Sequence, residues 1–457
     1  MDQVARRRGE ERADELDVWL RVEDPRDGTV VGEVAMAGPA EVEAAVGRAR
    51  EALDCWRRAA PAHRGALLRD AARAVEARLS PIAALQARET GKPVEDSRGG
   101  VAAGIGALHQ AAEMGPLHRG RSLQGGWDAT DLMVHEPLGV VAALVPWNDP
   151  VAIACGLIGA GVATGNAVIV KPSERAPLAT LEVIEAVAAA LPAGVLQALP
   201  GGPATGRALV AHAQVDAVVH VGSVATGREI AAVCAEQLKP AVLELGGKDA
   251  LIVDDGVEPA WAASQAAIGA FANAGQICTS VERIYVHEGV KAPFLTALVA
   301  EARHTEIGPL IDDRQRQLVH EHVQEAVAGG AKVLVGGTVP DGPGSWYPPT
   351  VVVDPPPGCR LLTEETFGPV ATVCTVSSFG EALEAAADSA YGLAATVLTC
   401  NQAHAQEACR ALPVGTVKVN AVFGGAPGGS AQPGRGSGLG FGYGPELFDQ
   451  LTHTKVV

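Results

Sequence analysis

Two periods of apolar and polar positions take turns along this chain. Stretches rich in Ala, Leu, Arg and Glu over residues 40–59, 64–88, 178–190 and 204–212 read as amphipathic helices. Between and after them stand short unbroken apolar runs rich in β-branched residues: VVAALV from Val140, AVIVK from Ala167, AVVHV from Ala217, AVLEL from Ala241 and ALIV from Ala250. A strand that is apolar on both faces must be covered on both, so such runs between helices predict a parallel sheet wrapped by helices. The expected fold is a doubly wound α/β architecture.

Glycine interrupts this pattern in three places. GSVATG (Gly222–Gly227) follows one strand run and precedes the helical REIAAVCAEQL, so its amides would face an anion at a helix N-terminus. LPGGPATG (Leu199–Gly206) is a weaker version of the same element. Gly424–Gly444 is too rich in glycine for a helix or a central strand; it reads either as a linker or as a loop passing close to a ligand or a partner subunit. The β-branched tail LTHTKVV after it suits pairing at a sheet edge.

A chain of 457 residues can bury a large core in two or three domains. Its 36 basic and 53 acidic residues leave a formal charge of −17, which repels phosphodiester backbones and anionic lipid, so nucleic acid is not an expected partner. The cysteines at 55, 155, 234, 278, 359, 374, 400 and 409 contain no CxxC pair, as expected in a reducing compartment. Arg6–Arg8 reads as a solvated tail, and no secretory signal is expected around it. The apolar tract Gly139–Val170 is broken by PWNDP and by glycines, so no membrane span is expected. These readings together place the chain in the cytoplasm.

The chemistry concentrates in two segments. Cys278 in FANAGQICTS is a thiol within a small-residue, largely apolar run, 34 residues after Glu244 of LELGGK, and is the candidate covalent nucleophile. AVIVKPSE (Ala167–Glu174) puts a lysine and a carboxylate just past a strand end, where an acid can bind ribose hydroxyls.

VPWN (Val145–Asn148), GNAVIVKPSE (Gly165–Glu174), VGSVATG (Val221–Gly227), LELGGK, FANAGQICTS, EETFGPV (Glu364–Val370) and YGLAA (Tyr391–Ala395) occur in this order, and together they resemble the aldehyde dehydrogenase superfamily over residues 20–457. The resemblance implies a Rossmann-like NAD-binding domain over residues 1–118 and 138–246. It further implies an α/β catalytic domain over 247–436 and a small β oligomerisation element from 119–137 and 437–457. In its light Cys278 is the nucleophile that attacks the aldehyde. Asn148 with the Cys278 backbone N–H is the oxyanion donor, and Glu244 is the base that hydrolyses the thioester. It places the cofactor along Pro146, Trp147, Lys171, Ser173, Glu174, Gly206, Gly222, Ser223, Gly227, Leu245, Gly246, Glu365 and Phe367. A carboxylate at Glu174 favours NAD over NADP, with Arg175 beside it blurring the preference. The implied assembly is a homodimer or homotetramer, the implied reaction aldehyde to acid. A coenzyme A-acylating enzyme and a catalytically silent relative are the alternatives.

The chain departs from that pattern at several points. SAQPGRGSG replaces a tunnel-walling aromatic motif, Asp149 follows Asn148, and Gly156–Leu157 stand where an aromatic and a polar residue are common. These changes predict a wider, more polar tunnel, and Asp149 offers a partner for a cationic aldehyde. The segment Leu298–Leu310 is shortened, and SGLGFG lacks a charged pair. His320, Glu321 and His322 lack HExxH spacing and read as the solvated face of a helix; no metal site is expected.

Overall fold

A computed structural model describes residues 19–424 and 429–457; the Arg6–Arg8 tail and residues 425–428 of the glycine-rich stretch lie outside them. Two sheets dominate. The first runs, edge to edge, Leu196–Ala198, Ala167–Lys171, Val140–Leu144, Ala217–Val221, Ala241–Glu244 and Gly438–Leu439, all parallel except the last. Numbered along the chain, the five parallel strands lie in the order 3-2-1-4-5, the doubly wound arrangement. Strands Val140–Leu144 and Ala167–Lys171 are buried at every position, as their unbroken apolar runs require. Helices Pro39–Trp56 and Pro203–Ala211 cover one face, and Pro61–Glu76, Val94–Met114 and Pro150–Ala163 cover the other. Each buried Val or Ile of this sandwich contributes on the order of 1.5–3 kcal/mol.

The second sheet has seven strands in the order Lys332–Val335, Thr350–Val353, Val370–Val376, Val281–His287, Asp249–Val253, Ala394–Leu398 and Thr416–Val419, parallel except at its first pair. A third, small sheet pairs Arg121–Leu123 and Thr452–Val456 on either side of Asp131–Pro137. Among the described residues no helix is long and apolar enough to cross a membrane.

Three expectations are corrected. Residues 64–88 form two helices, Pro61–Glu76 and Leu79–Thr90. Pro81 cannot sit in a helix interior, where its ring would clash with the carbonyl of Ala77, so the chain restarts with Pro81 in the first turn. Of residues 437–457 only Thr452–Val456 joins the small sheet: Gly438–Leu439 extends the first sheet, and Leu447, Phe448 and Leu451 are buried in its core. Finally, GSVATG lies mostly inside the helix Val224–Glu236, which Ser223 caps by accepting from the Thr226 N–H at 3.3 Å.

Candidate active site

Helix Pro259–Phe271 ends in a kink where Asn273 and Ala274 take left-handed backbone at φ 50° and 55°. Such residues cost of order 1–3 kcal/mol each unless their surroundings hold them. Here side chains do so. Asn273 Nδ2 donates to the carbonyls of Asn148 (3.3 Å) and Gln276 (3.1 Å), while Gln276 donates back to the Asn273 carbonyl (3.1 Å) and accepts from Ile311 N (2.9 Å). The kink turns the chain so that half-buried Cys278 lines a cleft of about 1020 Å³. Asn148, at the end of the loop before helix Pro150–Ala163, donates one amide hydrogen to the Gln276 carbonyl at 3.0 Å and keeps a second. Cys278 and Asn148 are thus fixed by the same loop.

Glu244 ends its strand paired with Gly438 and lines the same cleft. Its Oε1 accepts from the Gly442 N–H at 2.9 Å. Gly442 fits no side chain: a Cβ there would stand 2.0 Å from Glu244 Cγ. Burial pushes the Glu244 carboxyl up to about 7, against the pull of that one hydrogen bond. Burial, followed by the nearby Asp249, Glu365 and Glu244 carboxyls, pushes the Cys278 thiol up to about 12, so the thiol rests protonated.

The same cleft opens along the carboxyl ends of the first sheet, where strand order reverses between Val140–Leu144 and Ala217–Val221. Lys171 Nζ meets Glu174 Oε2 at 2.9 Å. Burial pushes Glu174 up, but the lysine's charge and hydrogen bond outweigh it, and the carboxyl sits below its ordinary range. Arg175 also lines the cleft, ion-paired to Asp312 at 3.1 Å with its guanidinium 5.4 Å from the Trp147 ring. Trp147 meets Phe367 edge-on at 5.3 Å. Pro146, Ser173, Gly206, Gly222, Ser223, Leu245, Gly246 and Glu365 also line the cleft. Gly227 does not: one turn into its helix, it packs against the Leu245 side chain.

These residues fit a dinucleotide. An acid–lysine pair follows the second strand, a capped helix N-terminus faces the cleft, and a carboxyl closes the far end, where Glu365 Oε1 accepts from Gly247 N at 3.1 Å. Burial, then Glu282, pushes Glu365 up to about 8.

The sequence reading missed the residues that hold the far end. Buried Glu282 accepts from the backbone N–H groups of Thr366 (2.8 Å) and Phe367 (2.9 Å) and pairs with buried Lys248, which donates to Thr366 Oγ1 at 3.0 Å. Gln315 Nε2 donates to the carbonyls of Thr366 and Phe367, both at 3.1 Å. Phe367 is thereby held at φ 51°. Lys248 stands in LELGGK, yet nothing local pointed to a partner 34 residues away.

Two side chains lie elsewhere than expected. Asp149 already has a cation, Lys92 Nζ at 3.3 Å. His322 is buried with Nδ1 3.2 Å from Thr366 Oγ1, and burial holds it neutral, down to about 4. Among the described residues, His118–His135–Asp449 and Asp254–Asp255–His404 bring potential ligand atoms within 4.8 Å, and neither group lines the cleft.

The aldehyde dehydrogenase family model matches residues 12–457. A betaine aldehyde dehydrogenase of Cereibacter sphaeroides is 34% identical over 89% of this chain and 87% of its own. A 3,6-anhydro-alpha-L-galactose dehydrogenase of Streptomyces coelicolor is 35% identical over 98% and 94%. Among solved structures, the NAD+ complex of a Bacillus cereus aldehyde dehydrogenase superposes with a TM-score of 0.93 at 31% identity, covering 96% of this chain and 92% of that one.

Proposed function

The chain belongs to the aldehyde dehydrogenase family, and from that premise we propose that it oxidises an aldehyde to a carboxylic acid with NAD through a thioester on Cys278. The observation that carries this reading is one cleft holding a thiol, an amide donor and a carboxyl near 7, continuous with a dinucleotide-shaped groove. When bound, the cofactor accepts the hydride. Cys278 Sγ attacks the carbonyl carbon and passes its proton to solvent as the S–C bond forms, since a thiol at about 12 has little free thiolate at neutral pH. The free N–H of Asn148 and the Cys278 backbone N–H stabilise the oxyanion. Collapse of that oxyanion expels the hydride and leaves a thioester. Glu244 then takes a proton from water, whose oxygen attacks the acyl carbon, and Cys278 leaves as the thiol.

The Lys171–Glu174 pair is read as the clamp on the adenine ribose, and Glu365 and Phe367 as the nicotinamide end. NAD is favoured over NADP because Glu174 repels a 2′-phosphate and Arg175 is engaged by Asp312 and Trp147. Hydrolysis is favoured over acyl transfer to coenzyme A because Glu244 stands in the cleft with Cys278. Asp149, paired with Lys92, is a poor anchor for a cation, so we withdraw the cationic aldehyde in favour of a bulky one. Nothing would lie within 4 Å of a Cβ at Gly156, on the half-open face of helix Pro150–Ala163, which supports a wide tunnel. We further propose a nucleotide-binding domain over residues 19–118 and 138–246, a catalytic domain over 247–436, and homo-oligomerisation in the cytoplasm. The edge strand Thr452–Val456, bonded on one side only, supports the assembly.

The test is steady reduction of NAD and of NADP across aliphatic, aromatic, amino and sugar aldehydes, with Cys278→Ala alongside and no added thiol. Acid production with NAD that vanishes in the variant is expected. Dependence on coenzyme A would select the acylating reading. NAD binding without turnover of any aldehyde would select the silent one.

A further inference from the structure

Behind Cys278, on the side away from the cofactor groove, stand two charged side chains to which no role has been given. Asp249 opens the strand Asp249–Val253 and is wholly buried. One carboxylate oxygen accepts from Ala394 N at 3.1 Å, and the other has no partner among the described residues. Gly247 separates this carboxyl from the backbone of the nucleophile: a Cβ there would stand 2.7 Å from Asp249 Oδ1 and 2.8 Å from the Cys278 carbonyl oxygen. Lys418 comes from Thr416–Val419 at the edge of the same sheet. Its ammonium donates to the Val422 carbonyl at 2.8 Å and sits 5.4 Å from the Phe423 ring. Val422, which accepts that bond, packs beside Val281, three residues after Cys278, over Gly269.

A buried carboxyl oxygen without a partner costs about 1–3 kcal/mol, more if charged. Such a group beside a reactive thiol therefore calls for an explanation. The charges around Cys278 come from four elements: Asp249, Glu365 from the turn before Val370, Glu244 from the first sheet, and Lys418. The Tyr443 phenol also faces this region. Three carboxyls oppose a thiolate, and Lys418 is the cation among these groups that favours one.

Resting on the reading of Cys278 as nucleophile, we propose that Lys418 and Asp249 act as a pair of opposed positioning residues that set how readily Cys278 gives up its proton. Lys418 draws the thiol toward ionisation; Asp249 restrains it and limits the ammonium's effect. Neither touches the aldehyde. Burial pushes Asp249 up to about 8 and holds Lys418 below its ordinary value.

The test is the rate of iodoacetamide alkylation at Cys278, resolved from the other cysteines by peptide mass spectrometry and followed against pH in the full-length protein. Lys418→Met is expected to move the alkylation profile to higher pH and slow the reaction about tenfold below its midpoint, the size of one pKa unit. Asp249→Asn is expected to move it to lower pH, and Lys418→Arg to keep the wild-type profile. Opposite signs cannot come from general loosening of the fold. Neutral variants that leave the profile unchanged, or both shift it the same way, would overturn the proposal. Aldehyde turnover retained by Cys278→Ala would overturn the nucleophile reading instead, a separate result from the same proteins.

Discussion

Gly442→Ala puts the proposed base under direct strain. The added methyl would stand 2.0 Å from Glu244 Cγ and 2.8 Å from its Oε1, against a carbon–carbon contact distance of about 3.5 Å. One partner must move by roughly 1.5 Å, the difference between those distances. Either movement breaks the 2.9 Å bond from Gly442 N, the hydrogen bond that holds Glu244's carboxylate form. A hydrogen bond to a charged group contributes about 1.5–3 kcal/mol, which is about 1–2 pKa units. Glu244 starts at about 7 because of burial, so the variant carboxyl should stay protonated well above neutrality. A base works only when deprotonated: the wild-type hydrolytic rate should climb with pH through about 7, and the variant's climb should lie higher. At neutral pH, where about half of the wild-type carboxyl is ionised, the steady-state rate should fall about 5- to 50-fold, following that displacement. The first turnover, which uses Cys278 and Asn148, should persist as a burst of reduced cofactor. The assay is a stopped-flow pH series on both proteins. A variant with the wild-type pH profile, or one whose burst and steady state fall together, would refute the assignment of Gly442 as the support of a hydrolytic base.

Two further outcomes follow from the geometry. Asn148→Ala should lower kcat about 100- to 1000-fold with little change in NAD affinity; equilibrium titration beside steady-state kinetics separates the two, and a loss confined to affinity would place Asn148 on the cofactor instead. Glu282→Gln should leave the Lys248 ammonium without its counter-charge and cost about 3–5 kcal/mol, read as a lower thermal midpoint with weaker NAD binding, whereas an unchanged midpoint would mean that the pair contributes nothing.

The strands were legible because their burial is written locally. Val140–Leu144 and Ala167–Lys171 are apolar at nearly every position, and only a sheet covered on both faces accepts that. Cys278 and Glu244 were singled out by the runs of small and apolar residues around them and Asn148 by the family resemblance, and all three line one cleft. What stayed hidden depends on distance along the chain. Glu282 reaches Thr366 and Phe367 across 84 and 85 residues, and no periodicity encodes that meeting. His322 was read as solvated because an amphipathic pattern shows which helix face is apolar, not whether the polar side is also covered. Gly227 was read as a phosphate contact because its motif gave no sign that the helix starts at Val224, one turn earlier. The break between Pro61–Glu76 and Leu79–Thr90 was in the sequence all along, in Pro81.

The Lys248–Glu282 pair joins the segment leaving the first sheet to a strand of the second and to the turn bearing Phe367. It works as a rivet behind the cleft, whose other wall carries exposed Ser223 and the Lys171–Glu174 pair. For an engineer, this divides the molecule: the face of helix Pro150–Ala163 around Gly156, where nothing lies within 4 Å of an added Cβ, is the part to change when a different aldehyde is wanted, and the riveted region is the part to leave alone.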